Sequence, residues 1–415
     1  MTRALWKFRL GMTAAAVGGL SSLAMAQSLG DAEFNVVDRG RYLSILSDCA
    51  ACHTAPGGRP FAGGLSIETP FGNLVTPNIT PDRETGIGKY TKDDFQRVMS
   101  EGIGRGGYHL YAAMPYPAYT KMTAEDNAAL FAYLQTLQPV KNQVEVNQLP
   151  FPYNQRWSLF GWNALNFTAG VFKPNADKSK QWNRGAYLVQ GPGHCGTCHT
   201  PKNALGGDKD SEALQGFVIQ GWNAPNITTD QHKGIGSWSA DDIVAYLKTG
   251  ANRFDLASGP MAEVVTKSTS KISDSDLAAI ATYLKDSGET STAASAAIAQ
   301  SEPVMKAGAA LYADRCSGCH TPAGEGIPKL FPRLADAPLV NADDATSLIH
   351  VVLAGSRAGS TDAVSTSPAM PAFDWNMSDE QVASVLTYVR NSWGNAAPAV
   401  KPADVASLRD HLKKQ

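Results

Sequence analysis

Apolar and polar positions along this chain follow one plan three times over. Gly40-Arg-Tyr42-Leu43, Gly185-Ala-Tyr187-Leu188 and Gly308-Ala-Ala-Leu311-Tyr312 each sit in a short amphipathic helical pattern. Well downstream of each comes a second helical pattern: Asn127 to Leu137 with Tyr133-Leu134, Asp276 to Lys285 with Tyr283-Leu284, and Asp379 to Asn391 with Tyr388-Val389. Thr123 and Ser378 stand where helix N-caps belong, with acidic residues behind them. The pattern predicts an all-α protein built from tandem helical units, with almost no sheet.

The first two units also share their middles. Pro77-Asn-Ile-Thr80, Gly86-Ile-Gly88 and Asp93-Asp94 return as Pro225-Asn-Ile-Thr228, Gly234-Ile-Gly236 and Asp241-Asp242, all at one constant offset. Three matches at a single displacement mark a duplication, while the third unit lacks the block and is a more distant copy. Boundaries are expected near 30 to 145, 180 to 290 and 300 to 395, with a tail over 396 to 415. The first connection, Gln148 to Lys180, carries Trp157, Phe160, Trp162 and Phe167 and is too aromatic for a flexible tether. The second, Ser287 to Glu302, is rich in Ser, Ala and Thr and reads as solvent-exposed.

At the start, Arg3, Lys7 and Arg9 precede an apolar run ending in Ala24-Met25-Ala26. Residues 1 to 26 therefore read as a cleaved secretory signal peptide. No other stretch approaches the roughly 20 apolar residues that cross a bilayer. Charge narrows the partners further: 36 basic against 38 acidic residues, a net charge of -2, give no electrostatic case for nucleic acid.

Six cysteines in an exported chain would ordinarily imply disulfides. Here they fall as Cys49-Ala-Ala-Cys52-His53, Cys195-Gly-Thr-Cys198-His199 and Cys316-Ser-Gly-Cys319-His320, leaving none over. One isolated Cys-x-x-Cys would fit a zinc knuckle or a redox pair. Three copies, each followed directly by His, are the attachment pattern of c-type haem, and three covalent haems are expected. Two thiols on one helical turn reach the vinyl groups of a single porphyrin, and the next residue supplies the proximal imidazole.

A methionine as second axial ligand would fill the iron and raise its potential, which suits electron transfer rather than oxygen chemistry. The second unit contains a single methionine, Met261, and it calibrates the others. Met114 lies almost as far beyond His53 as Met261 does beyond His199, whereas Met99 and Met122 do not. The setting Ala113-Met114-Pro115 returns as Ala369-Met370-Pro371 in the third unit, with Met377 as the fallback. The expected iron ligands are His53 with Met114, His199 with Met261, and His320 with Met370. Ligation by two histidines would instead draw on His109, His350 or His232; His194 adjoins the second motif and cannot swing to the distal face. Tyr108, Tyr111, Tyr116, Pro117 and Tyr119 are candidate porphyrin walls, and Arg59, Arg105 and Arg253 candidate propionate partners.

The segments Cys49 to Gly64, Pro77 to Asp82, Ala113 to Pro117 and Gly193 to Pro201 resemble, over nearly the whole mature chain, the three-haem cytochrome c subunits of bacterial membrane-bound periplasmic dehydrogenases. Those subunits serve alcohol, gluconate, fructose and aldehyde dehydrogenases. The resemblance implies three tandem class I cytochrome c domains and a separate catalytic dehydrogenase subunit carrying a quinone, flavin or molybdenum cofactor. It also implies electron delivery to ubiquinone or another acceptor, and peripheral attachment to the periplasmic face of the inner membrane. The tail departs from the family by being short: Val405, Leu408 and Leu412 form a stripe opposite Arg409, Lys413 and Lys414, expected on an interfacial or a solvated helix. Two alternatives stay open. A multihaem peroxidase or reductase would need a haem with an open distal position, and a stand-alone soluble shuttle would need no large partner.

Overall fold

The computed structural model describes residues 35–288 and 296–414. The expected signal peptide and residues 289–295 of the second connection lie outside the described residues.

Each unit opens on a leading helix, over residues 35–46, Lys180–Gln190 and Pro303–Arg315. Each ends on a closing helix, Ala124–Thr136, Asp274–Leu284 and Asp379–Val389. The two cross at the glycine that the sequence repeats. A β-carbon on Gly40 or Gly185 would sit 1.9 Å from the carbonyl oxygen of Ala129 or Ala279, and one on Gly308 would sit 2.3 Å from that of Ser384. Tyr133, Tyr283 and Tyr388 pack their β-carbons on the same spots, so the repeated glycine and the repeated tyrosine are two halves of one helix crossing. Thr123, Ser273 and Ser378 accept hydrogen bonds from the third backbone N–H of each closing helix, each cap contributing about 1 kcal/mol.

The duplicated middles carry equivalent helices, Lys92–Glu101 and Ala240–Thr249. Capping boxes between Thr91 and Asp94 and between Ser239 and Asp242 start them, which accounts for the repeated acidic pairs. Left-handed Gly102 and Gly250 end them.

The all-α expectation needs correction, because the mainly helical repeats carry small antiparallel ladders. Ser66–Thr69 pairs with Gly72–Val75, which in turn meets Asn147–Gln148; Phe217–Ile219 pairs with Trp222–Ala224; and Ser356–Arg357 pairs with Ala369–Met370. In the second hairpin Gln220 and Gly221 have φ of 50° and 72°, both left-handed, the backbone of a tight two-residue turn. That turn carries no Asn-Gly signal, and strands of two to four residues are too short to show alternation.

One continuous core runs through the first two repeats, including Leu43, Leu46, Leu130, Leu134, Leu188, Leu277 and Ile280. The third repeat has its own, around Val352, Leu353, Val382 and Leu386. The tail belongs to that second core. Its helix, Pro402–Leu412, buries Val405 and Leu408 there, and Arg409 Nε pairs with Asp379 Oδ1 at 2.8 Å. The apolar stripe therefore faces protein, on neither an interfacial nor a solvated helix. The aromatic connection is structured as expected: from its helix Ser158–Asn166, Asn163 accepts from Tyr116 Oη at 2.6 Å while Trp162 Nε1 donates to Leu205 O at 2.8 Å.

Candidate functional site

Each cysteine motif folds into one tight helical turn at the end of its leading helix. The turns are Cys49–Cys52, Gly196–His199 and Ser317–His320. In every case the histidine N–H donates to the carbonyl of the first cysteine, at 2.9 Å for His53, 3.0 Å for His199 and 3.0 Å for His320. This places both cysteines and the histidine on one turn of backbone, the arrangement a doubly attached, axially ligated group requires. None of the six cysteines is in a disulfide. Burial pushes the thiols of Cys49 and Cys195 up to about 12, so neither is an activated nucleophile.

The three histidines share a further feature that the sequence reading missed. Nδ1 of His53, His199 and His320 lies 2.8, 2.7 and 3.0 Å from the carbonyl oxygens of Pro77, Pro225 and Pro332. A carbonyl only accepts, so Nδ1 carries the proton and Nε2 keeps its lone pair for a metal. Burial holds all three imidazoles below the usual histidine range, against the opposing pull of the proline carbonyls, and keeps them neutral. The repeated Pro-Asn-Ile-Thr block is thus the histidine cradle of the first two repeats: Asn78 Oδ1 accepts from Thr80 N at 2.9 Å and Asn226 Oδ1 from Thr228 N at 2.7 Å, fixing each proline loop. Repetition flagged the block, but its role shows only once the loop has folded back. In the third repeat Pro332 lies much nearer its histidine along the chain and carries no such block.

Met114, Met261 and Met370 are half-buried, the first and last at the margins of the two cores. Met114 precedes the short helix Tyr116–Tyr119, Met261 lies in the helix Gly259–Lys267, and Met370 ends a strand. Their rivals Met99, Met122 and Met377 are core packing, each 5% exposed or less. The alternative histidines are engaged elsewhere: His109 Nδ1 with Asn163 Nδ2 at 3.0 Å, His232 Nε2 near Ala396 O at 3.4 Å, and His350 Nδ1 with Gly221 O of the second repeat at 2.9 Å. Tyr116 and Tyr119 are buried, whereas Tyr108 is 42% exposed. Of the arginines, Arg59 meets Gln138, Arg105 meets Asp94 at 3.8 Å, and Arg253 meets Asp242 at 3.1 Å.

The residues present fit haem in a second respect. Trp238 Nε1 and the Nε and Nη1 of Arg390 are buried with no hydrogen-bond partner among the described residues. Buried donors of this kind match an acidic propionate, and neither was singled out from sequence.

A sequence profile of the cytochrome c family matches residues 37–138, 183–288 and 305–393. The chain is 41% identical to the gluconate 2-dehydrogenase cytochrome c subunit of Pantoea cypripedii, covering 95% of this chain and 93% of that one. It is 39% identical to the cytochrome c subunit of the quinone alcohol dehydrogenase of Gluconobacter oxydans, covering 95% and 87%. With the fructose dehydrogenase cytochrome subunit of Gluconobacter japonicus it shares 38% identity over 90% of this chain and 82% of that subunit.

Proposed function

This chain belongs to the cytochrome c family, in three tandem copies, and from that premise we propose that it is the electron-transfer subunit of a dehydrogenase complex, each repeat a class I cytochrome c domain. It carries three covalent haems c, which supply one-electron chemistry at a metal. The observation that carries the assignment of sites is the threefold recurrence of one geometry, a Cys-x-x-Cys-His turn whose imidazole is held through Nδ1 by a proline carbonyl.

Cys49 with Cys52, Cys195 with Cys198, and Cys316 with Cys319 hold the three groups. His53, His199 and His320, oriented by their prolines, would ligate the irons through Nε2. Met114, Met261 and Met370 would complete the ligand sets and leave no open position for small ligands. By likeness to the relatives, the electron donor is a catalytic dehydrogenase subunit, and the acceptor proposed for it is ubiquinone or another respiratory component. The expected signal and the family resemblance support a location at the periplasmic face of the membrane. Among the described residues no helix is long and apolar enough to cross a bilayer.

The test joins a spectrum to a purification. The reduced protein exposed to carbon monoxide should keep its spectrum, and a large dehydrogenase subunit should co-purify and reduce these haems with its substrate. A haem that binds carbon monoxide at once would favour a multihaem enzyme. Purification without any large partner would favour a soluble shuttle.

A further inference from the structure

Repeats one and two meet through a pair of crossed clamps. Tyr42 of the first repeat donates to Asp276 Oδ2 of the second at 2.7 Å, and Tyr187 of the second donates to Asp126 of the first. Each carboxylate is also gripped by an arginine of its own repeat. Arg39 Nε lies 2.6 Å from Asp126 Oδ1, and Arg184 places Nε and Nη2 at 2.8 and 2.7 Å from the two oxygens of Asp276. Each tyrosine oxygen in turn accepts from the N-cap amide of the other repeat's closing helix, Ser273 N at 3.2 Å and Thr123 N at 3.5 Å. Matching positions of the duplicated sequence thus perform the same task in both directions, across a local two-fold axis.

The donor polarity is fixed by the surroundings. Desolvation of Asp276 is outweighed by hydrogen bonds from Arg184 and Tyr42, which hold its carboxyl below the usual range. Burial pushes the Tyr42 and Tyr187 hydroxyls up, so each keeps its proton and donates to the aspartate facing it.

These clamps stand beside the cysteine motifs. The turn Cys49–Cys52 packs against the helix Gly259–Lys267, which carries Met261 of the other repeat. In the reverse sense His194, next to Cys195, sets its ring edge-on to Tyr119 at 5.5 Å. Ser47 O receives Tyr119 Oη at 3.2 Å and lies 3.2 Å from His194 Nε2, while Ser268 Oγ donates to Leu46 O at 3.1 Å. Cys52 lies within electrostatic reach of Cys198. Each motif therefore faces the other repeat rather than solvent alone.

We propose that Tyr42, Tyr187, Asp126 and Asp276 are positioning residues that hold the first two haems in a fixed, directly exchanging pair. The proposal rests on the haem assignment above. Repeat three joins this pair through an unrelated junction and is not governed by the clamps.

The full chain with all three haems tests it. In the double variant Tyr42→Phe, Tyr187→Phe both crossed donors are lost while the arginine pairs remain. Amide exchange in the turn 49–53 and the helix 259–267 should then accelerate by roughly tenfold or more for each charged hydrogen bond lost. Magnetic coupling between the first two irons should weaken, and electron exchange between them after a one-electron pulse should slow, with the third haem's signal unchanged. Should the double variant fail to fold, the single Tyr42→Phe is read in the same way. Unaltered coupling and exchange would overturn the proposal. Loss of the first two covalent haems from the parent protein, seen by pyridine haemochrome, would instead remove its premise.

Discussion

Repeats one and two bury their apolar faces against each other, whereas repeat three finishes its core with a helix of its own. Leu43, Leu46, Leu188 and Leu277 belong to one cluster that ignores the boundary between the first two repeats. In the third, Val405 and Leu408 from the terminal helix fill a comparable place beside Val352 and Leu386. A unit of roughly a hundred residues has a small core and gains much from any added apolar cover. The duplicated pair obtains it from its copy, and the divergent repeat from a local addition.

The two junctions differ accordingly. Between one and two, a shared core is reinforced by crossed ionic hydrogen bonds. Between two and three, contacts are local and largely polar: Asn223 N donates to Ser347 Oγ at 2.7 Å, His350 stacks on Trp222 at 3.9 Å, and Lys233 reaches Asp343 at 2.7 Å. Symmetry survives where an interface was inherited with the duplication, and is absent where a new neighbour was added.

The strongest way to break this comparison is to open one core and watch the other. Leu277→Ala and Leu353→Ala each remove a side chain that is at most 1% exposed, and each should cost about 2–5 kcal/mol. In calorimetry with haem-region circular dichroism, the first should lower the melting of repeats one and two together. The second should lower only that of repeat three. A single transition shifted by both variants would contradict the two-core description.

Val405→Ala sharpens the role of the terminal helix. It should cost about 1–2 kcal/mol, within the third transition alone. An unchanged third transition would return this helix to the status of a dispensable tail.

Acid separates the junctions next. Burial, and then the charge of His411, depress His350, opposed by the Gly221 carbonyl. A depressed histidine contributes stability above its ordinary value of about 6.5, and that contribution is lost as pH falls. Asp276, also depressed, keeps its contribution until pH falls below the ordinary carboxylate value of about 3.9. On acidification, amide exchange should therefore rise first at the second junction, around Asn223 and Ile349, and only later at Ser273. The reverse order would contradict this reading.

The smallest expected effect is that of Lys233→Ala. Its partner Asp343 is 71% exposed, so the loss should stay within about 1 kcal/mol and shrink with added salt.

The sequence made the threefold plan, the cysteine turns and two of the three closing-helix caps legible, because each depends on residues close together in the chain. Gly40 and Tyr133 were visible only as separate signals, and their contact emerges once the leading and closing helices cross. Four features were not legible, each for a physical reason. The hairpins are too short for a period to appear. The proline carbonyls that orient the histidines are backbone atoms, which composition does not mark. Val405 and Leu408 formed a clear stripe, but a stripe does not say whether membrane, water or protein covers it. Tyr42 and Tyr187 read as helix aromatics because their partners lie in the other repeat.

The measurement that bears most directly on the whole account is the intact mass and pyridine haemochrome of the mature chain, made with haem-attachment machinery, beside variants with one Cys-x-x-Cys pair replaced by alanine. The account predicts three covalent haems per chain and the loss of one, and only one, from each variant. Free thiols in the parent chain, or a haem count that does not follow the motifs, would contradict it.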